Sequence, residues 1–327
     1  MFNPMSLVGT TWLMEPVALR LAIQRVAMFR ECPSPRELAK ERRKRLDFAA
    51  AAPSRAVKCE GTAKLTEHRA GPAAIRAQSG RIGVVDISGP IDQHYTAALS
   101  KAGGTSCDEI GMALDSLMAD AAVSAIVMHV DSPGGAVSGV GELADRIYDA
   151  RAKKPIYAIS DSMAASAAYW LATAASTMVC TPGGAVGSVG VYSIHADQSE
   201  ALKAQGINLS VVQSTDSPMK TEFMDNAPLG DQAREYLQKT VDAIHGKFID
   251  ALAKNRDMKA SAVRSDFGRG RVMMADDALA AKMCDRVMSF ADLMGRLTGS
   301  GGNGGRASAS AQTLAARHSF AKLKAGA

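Results

Sequence analysis

At 327 residues, 47% of them apolar, the chain is long enough for one large α/β domain with appendages and can bury a substantial core. Aromatic residues supply only 5%, and Ala, Gly, Ser and 17 Met make up the difference, which suits close packing of helices on a sheet. The net charge of +5 permits an acidic partner without requiring nucleic acid.

The cysteines, Cys32, Cys59, Cys107, Cys180 and Cys284, are scattered and odd in number, and no pair has the spacing of a metal site. A reducing compartment is expected, with no metal and no other cofactor. Glu15, Arg20 and Arg25 interrupt the first candidate apolar segment, so no signal peptide is expected. No run approaches the ~20 apolar residues needed to span a bilayer, which predicts a soluble, cytoplasmic protein with no membrane span.

In chain order, Leu19, Ile23, Val26 and Ala27 share one face of a predicted helix over 17–29. A basic run follows from Pro35 to Leu46, read either as a solvated helix with internal Glu–Arg pairing or as a contact for an acidic partner. Residues 1–46 are therefore taken as an N-terminal helical arm. Residues 47–80, Ala- and Pro-rich without period, are taken as a linker. From Arg81 the pattern alternates. Strands are predicted at 82–88, 125–130, 156–160, 177–180, 191–194, 207–213 and 271–274, and helices at 108–119, 138–150, 166–175, 231–255 and 275–283, with another ending at Gln205. Strands separated by helices of this length imply βαβ units and a parallel sheet over residues 81–297. Gly299–Gly305 begin a flexible C-terminal segment, 298–327.

The chemistry concentrates at two strand ends. Tyr157–Ser160 should be a buried strand and Ser166 should stand where the next helix begins. A hydroxyl there has free backbone N–H groups beside it, a suitable place for a nucleophile with an oxyanion site. An isolated serine in that place is also an ordinary N-cap. The second strand ends in Asp131-Ser-Pro-Gly-Gly-Ala136, and ligands of parallel sheets bind at such carboxyl ends. Gly134 and Gly135 could supply one oxyanion donor and the Ala167 N–H the other.

The set Asp131-Ser-Pro-Gly-Gly135, Ser162-Met-Ala-Ala-Ser-Ala-Ala-Tyr169, Val186-Gly-Ser-Val-Gly-Val191 and a lysine in a later polar loop resembles the signal peptide peptidase A family of serine proteases. Within that family it resembles the bacteriophage head-maturation, or capsid-assembly, branch. The resemblance covers about 81–297 and implies a Clp-protease/crotonase-like α/β fold with parallel βαβ units. It also implies a Ser–Lys dyad. Lys220, 54 positions after Ser166, has the matching context, whereas Lys203, Lys239 and Lys247 lie on predicted helices. Ser188 matches the hydroxyl that holds the lysine amine. Ala167-Ala168 depart from the family's Gly-containing pair, and Pro218-Met219 from its usual residues before the lysine. A lysine acts as base only when neutral, so its site must be desolvated or close to other positive charge.

The resemblance implies a serine endopeptidase that processes phage scaffold and head proteins, portal and capsid among them, within a procapsid in the host cytoplasm. It also implies a homo-oligomer. Alternatives are a bacterial peptide-degrading protease of the same family, a catalytically silent head-assembly protein, and acyl-CoA chemistry of the crotonase type. A Ser-His-Asp triad built on His129 with Asp131, or on His195 with Asp197, is the mechanistic rival.

Overall fold

The computed structural model describes residues 11–14, 56–57, 73–77 and 80–299. The predicted helix over 17–29, the basic run and the segment beyond Gly299 lie outside the described residues. Strands β1 (Thr11–Met14), β2 (Ala56–Val57) and β3 (Ala73–Ala77) precede the long β4 (Gly80–Ser88). The expected linker thus contains two strands. Then come β5 (Ile91–Asp92), α1 (Ala97–Lys101), β6 (Thr105–Ser106) and α2 (Cys107–Ala119). Helix α2 starts where it does because Ser106 and Glu109 form a reciprocal capping box. Next are β7 (Val123–Ser132), β8 (Gly134–Ala136), α3 (Val140–Ala150), β9 (Ile156–Ala165) and α4 (Ala167–Thr173). They lead to β10 (Thr177–Cys180), β11 (Ala185–Gly187), β12 (Tyr192–Ser193) and α5 (Ser199–Ala204). The chain closes with α6 (Asp231–Arg256), α7 (Ala260–Asp266), β13 (Val272–Met274), α8 (Ala275–Ala280), β14 (Arg286–Val287) and α9 (Phe290–Thr298).

The main sheet runs β13-β11-β9-β7-β4-β3-β2, with β10 and β14 branching from β9. The branch arises because β9 is long. Its first half, Tyr157–Ser160, pairs with β10, and its second half, Met163–Ala165, pairs with β11. Strands β4, β7, β9, β10 and β11 are parallel, which is the expected βαβ architecture of the Clp-protease/crotonase type. Both faces are buried, as parallel sheets require. On one face Val85, Ile87, Ile126, Met128 and Val130 meet the helices α2, α3, α4 and α6. On the other, Ile82, Val84, Val127 and Ile159 meet Leu293 and Met294 of α9, each such burial being worth about 1.5–3 kcal/mol.

A second, smaller sheet runs β12-β1-β8-β5-β6. The predicted strand over 207–213 forms no strand among the described residues, although its alternating Ile207, Leu209 and Val211 are exposed. Alternation specifies two faces and no partner, and none is supplied within the described chain.

Candidate active site

Strand β9 carries the chain directly to Ser166, where the backbone turns through φ 54 and ψ −116 before α4 begins. A non-glycine residue in that region costs about 1–3 kcal/mol and persists only when its surroundings over-determine it. They do so here. The Ser166 N–H donates to Gly187 O at 2.7 Å, and Ser166 O accepts from the Trp170 N–H at 2.9 Å. Helix α4 is fixed in turn by Trp170, stacked on Phe248 at 4.6 Å, and by the Tyr169 hydroxyl, which donates to Met283 O at 2.8 Å. The Ser166 side chain has no hydrogen bond to another described residue, so it does not cap the helix it precedes.

Ser188 repeats the strain at φ 54, its N–H donating to Arg271 O at 2.8 Å. Because Ala165 pairs with Gly187, the residues that follow each of them, Ser166 and Ser188, emerge side by side; they are 1% and 5% exposed. The glycine pair comes from the other side of β9. Ser132 pairs with Ala164, so Gly134 and Gly135 continue from β7 beside the Ser166 turn, and α4 packs on β8. Gly134 has φ 92 and its N–H donates to Ser132 Oγ at 3.1 Å; that hydroxyl donates to Gly89 O at 2.6 Å. An oxyanion would have to take the Gly134 N–H from Ser132. The Ala167 N–H, first of its helix, has no intrahelical acceptor.

The structure thus brings Ser166, Ala167, Ser188, Gly134 and Gly135 together. It does not bring Lys220. That residue is exposed in the loop between α5 and α6, in a turn closed by its N–H to Ser217 O at 3.2 Å. Among the described residues its ammonium has no hydrogen bond or ion pair, and the desolvation that a neutral lysine requires is not present.

The histidines are placed too. His129 lies between Asp86 at 3.1 Å and Asp161 at 3.2 Å, with Phe290 against its ring at 4.8 Å. The bond to Asp86 and that to Asp161 raise its pKa above the ordinary value, although burial opposes them. With both nitrogens taken by carboxylates it cannot accept a proton from Ser166. His195 faces Ala227 O at 3.0 Å and is no better placed. Cysteine chemistry fares no better: burial pushes the Cys107 and Cys284 thiols up to about 12 and that of Cys180 to about 11. Among the described residues no group of His, Cys, Asp and Glu could hold a metal ion, and no helix is long and apolar enough to cross a membrane.

The sequence reading missed Ser132, which holds the Gly134 N–H, and β1, which lies against β8. The hydroxyl stands inside the quoted motif, but nothing in the residues 11–14 marks them as a partner of Gly134–Ala136.

The model of peptidase family S49 matches residues 149–300. Ser166, Ser188 and Lys220 fall within the S49 match, and Gly134 and Gly135 just before it. The chain is 27% identical over 233 residues to the head-tail preconnector protein GP5 of Enterobacteria phage P21, covering 70% of this chain and 46% of that protein. It is 28% identical over 211 residues to the capsid assembly protease C of Escherichia phage lambda, covering 64% and 47%. Protease 4 of Salmonella typhi is 27% identical over 218 residues, covering 66% of this chain and 34% of that protein. The chain spans about half the length of the two phage relatives.

Proposed function

We propose that this chain is a serine endopeptidase in which Ser166 attacks the scissile carbonyl, Lys220 takes and returns the proton, and Ser188 orients the lysine amine. The Ala167 N–H and the Gly134–Gly135 backbone receive the oxyanion. The observation that carries this reading is the strained, buried Ser166 at the end of β9, beside an equally strained Ser188. Strain held at two neighbouring serines, with neither hydroxyl hydrogen-bonded among the described residues, is what a pre-organised nucleophile and its neighbour require.

The likeness to two phage head proteins supports substrates among scaffold, portal and capsid proteins, met in a procapsid within the host cytoplasm. A homo-oligomer fits the exposed Ile207, Leu209 and Val211 before Lys220, because covering them with another copy would hold the lysine loop in one position. That loop has to move or be covered for the base to reach Ser166.

The test is cleavage of a head-protein substrate together with fluorophosphonate labelling of Ser166. Ser166→Ala and Lys220→Ala should each lose about 10³-fold or more in kcat. Lys220→Arg should be nearly as damaging, since an arginine cannot be deprotonated. His129→Gln and His195→Gln should keep most activity. An active Lys220→Arg alongside a dead histidine variant would sink the dyad. A folded chain that neither labels nor cleaves would leave a silent assembly protein as the better reading.

A further inference from the structure

A cavity of about 390 Å³ lies between α6, α7 and the segment that follows Ser188. Its floor is apolar, from Val189, Val191 and Phe267. Two arginines line it as well, Arg264 of α7 and Arg269 of the turn Gly268–Gly270. Neither guanidinium has a hydrogen bond or ion pair among the described residues. Asp242, the one carboxylate on this lining, accepts from the Gln238 amide at 3.0 Å instead. Two uncommitted cations therefore stand against one anion that is already engaged.

His245 lines the same cavity, and its Nδ1 is buried with no hydrogen-bond partner among the described residues. Burial, and then the charge of Arg264, hold its pKa below the ordinary value. A buried polar atom left unpaired on a cavity wall calls for an explanation, and a polar ligand gives one. Arg269 is held unusually too. It has φ 50 and ψ 52, between Gly268 at φ 73 and Gly270 at φ 90. Strain of this kind persists where the surroundings fix it, and it gathers at ligand clamps. The next residue does the fixing: Arg271 O accepts the Ser188 N–H at 2.8 Å. The turn that presents Arg269 thus also seats Ser188, which neighbours Ser166 through the Ala165–Gly187 pair. At no more than about 3.6 Å per residue, Val191 lies within about 11 Å of Ser188, a span an extended peptide covers in about three residues.

We propose that this cavity receives an acidic side chain of the polypeptide being cut, with its carboxylate between Arg264 and Arg269 and its methylenes on the apolar floor. This rests on the serine-peptidase reading above and names what that site selects. Planar guanidinium donors match a carboxylate, whereas an apolar side chain would leave both cations unpaired and a basic one would be repelled.

The experiment gives the full chain two matched pools of short peptides, one with Glu and one with Gln at the same places, and identifies the cut bonds by mass spectrometry. The acidic pool should be cut with Glu at one fixed position within about four residues of the scissile bond. Exchanging that Glu for Gln should lower kcat/KM by about tenfold or more. In Arg264→Gln combined with Arg269→Gly the Glu/Gln ratio should fall towards one; glycine suits the left-handed backbone at 269, so the turn is kept. A general loss of activity would lower both peptides together and leave the ratio unchanged. Arg264→Glu with Arg269→Glu should move the preference to Lys. A wild type that cuts without acidic preference overturns this proposal alone, and so does a double variant that keeps the preference. A chain that cuts neither pool and takes no fluorophosphonate overturns the serine-peptidase reading. The cavity is then judged by the fluorescence anisotropy of fluorescein-labelled pools: tighter binding of the acidic one supports it, and equal binding overturns it as well.

Discussion

Gly135→Ala tests how the glycine pair is built. A Cβ on Gly135 would lie 1.7 Å from Ile91 O, 2.5 Å from Ile91 C and 2.6 Å from Ile91 N. All three are backbone atoms of β5, and Ile91 is itself 1% exposed, so no side chain can rotate away. Either β5 and β8 separate, breaking the Ile91–Gly135 pairing, or β8 shifts against the Ser166 turn. Overpacking of this kind costs about 1–3 kcal/mol, and contact with fixed backbone puts it at the upper end. If the glycine pair receives the oxyanion as proposed, a shift of about 1 Å there costs about 10²-fold in rate. Gly141→Ala is the control, because its Cβ would meet nothing closer than the Trp170 ring at 3.7 Å and it lies within α3. That change should be neutral or stabilise by about 0.4–1 kcal/mol. The assay is the urea midpoint followed by tryptophan fluorescence, with fluorophosphonate labelling of Ser166 on the same samples. Gly135→Ala with a wild-type midpoint and labelling rate would refute the close approach of β5 and β8.

Two further outcomes are expected. His129 has a folded pKa raised by Asp86 and Asp161, so its contribution to stability is complete below about pH 6.5 and is lost as pH rises through the folded value. The urea midpoint of the wild type should therefore fall relative to His129→Gln as pH rises through that range; a constant difference would show that the imidazole does not titrate between the two carboxylates. Ser166→Gly relieves a φ 54, ψ −116 conformation, worth about 1–3 kcal/mol, against about 0.4–1 kcal/mol for a looser unfolded chain. This variant should melt higher than the wild type, and a lower melting temperature would mean that Ser166 is not strained.

The parallel core was legible because its signals are local. Continuous apolar runs in β4 and β7, the capping box at Ser106 and Glu109, and apolar periodicity in α2 and α3 all lie within a few residues of what they specify. Strand β9 runs five residues past its predicted end because Ser162, Ala164 and Ala165 are small and carry weak strand preference. Only pairing with β7 and β11 makes them a strand. Strand β11 was hidden inside a predicted loop for the same reason: Ala185-Val-Gly187 is held by β9 on one side and β13 on the other.

The site divides along the same line. Ser166 and the glycine pair could be named because strand ends of a parallel sheet are where ligands bind, and the motifs stand at two of them. Lys220 has no such local mark; the resemblance alone singled it out, and the chain by itself leaves it exposed. Antiparallel pairing of Trp12–Met14 with Gly134–Ala136 joins residues more than a hundred positions apart, which no window on the sequence can contain. The Ser166 conformation depends on equally distant groups: Gly187 O holds its N–H, Arg271 O fixes the neighbouring Ser188, and Met283 O anchors α4 through Tyr169. Each lies on the C-terminal side of Ser166 in the chain. The strain at Ser166 is held by groups on and beyond the β11–β13 edge, so changes along that edge should disturb the Ser166 conformation before they disturb the parallel core.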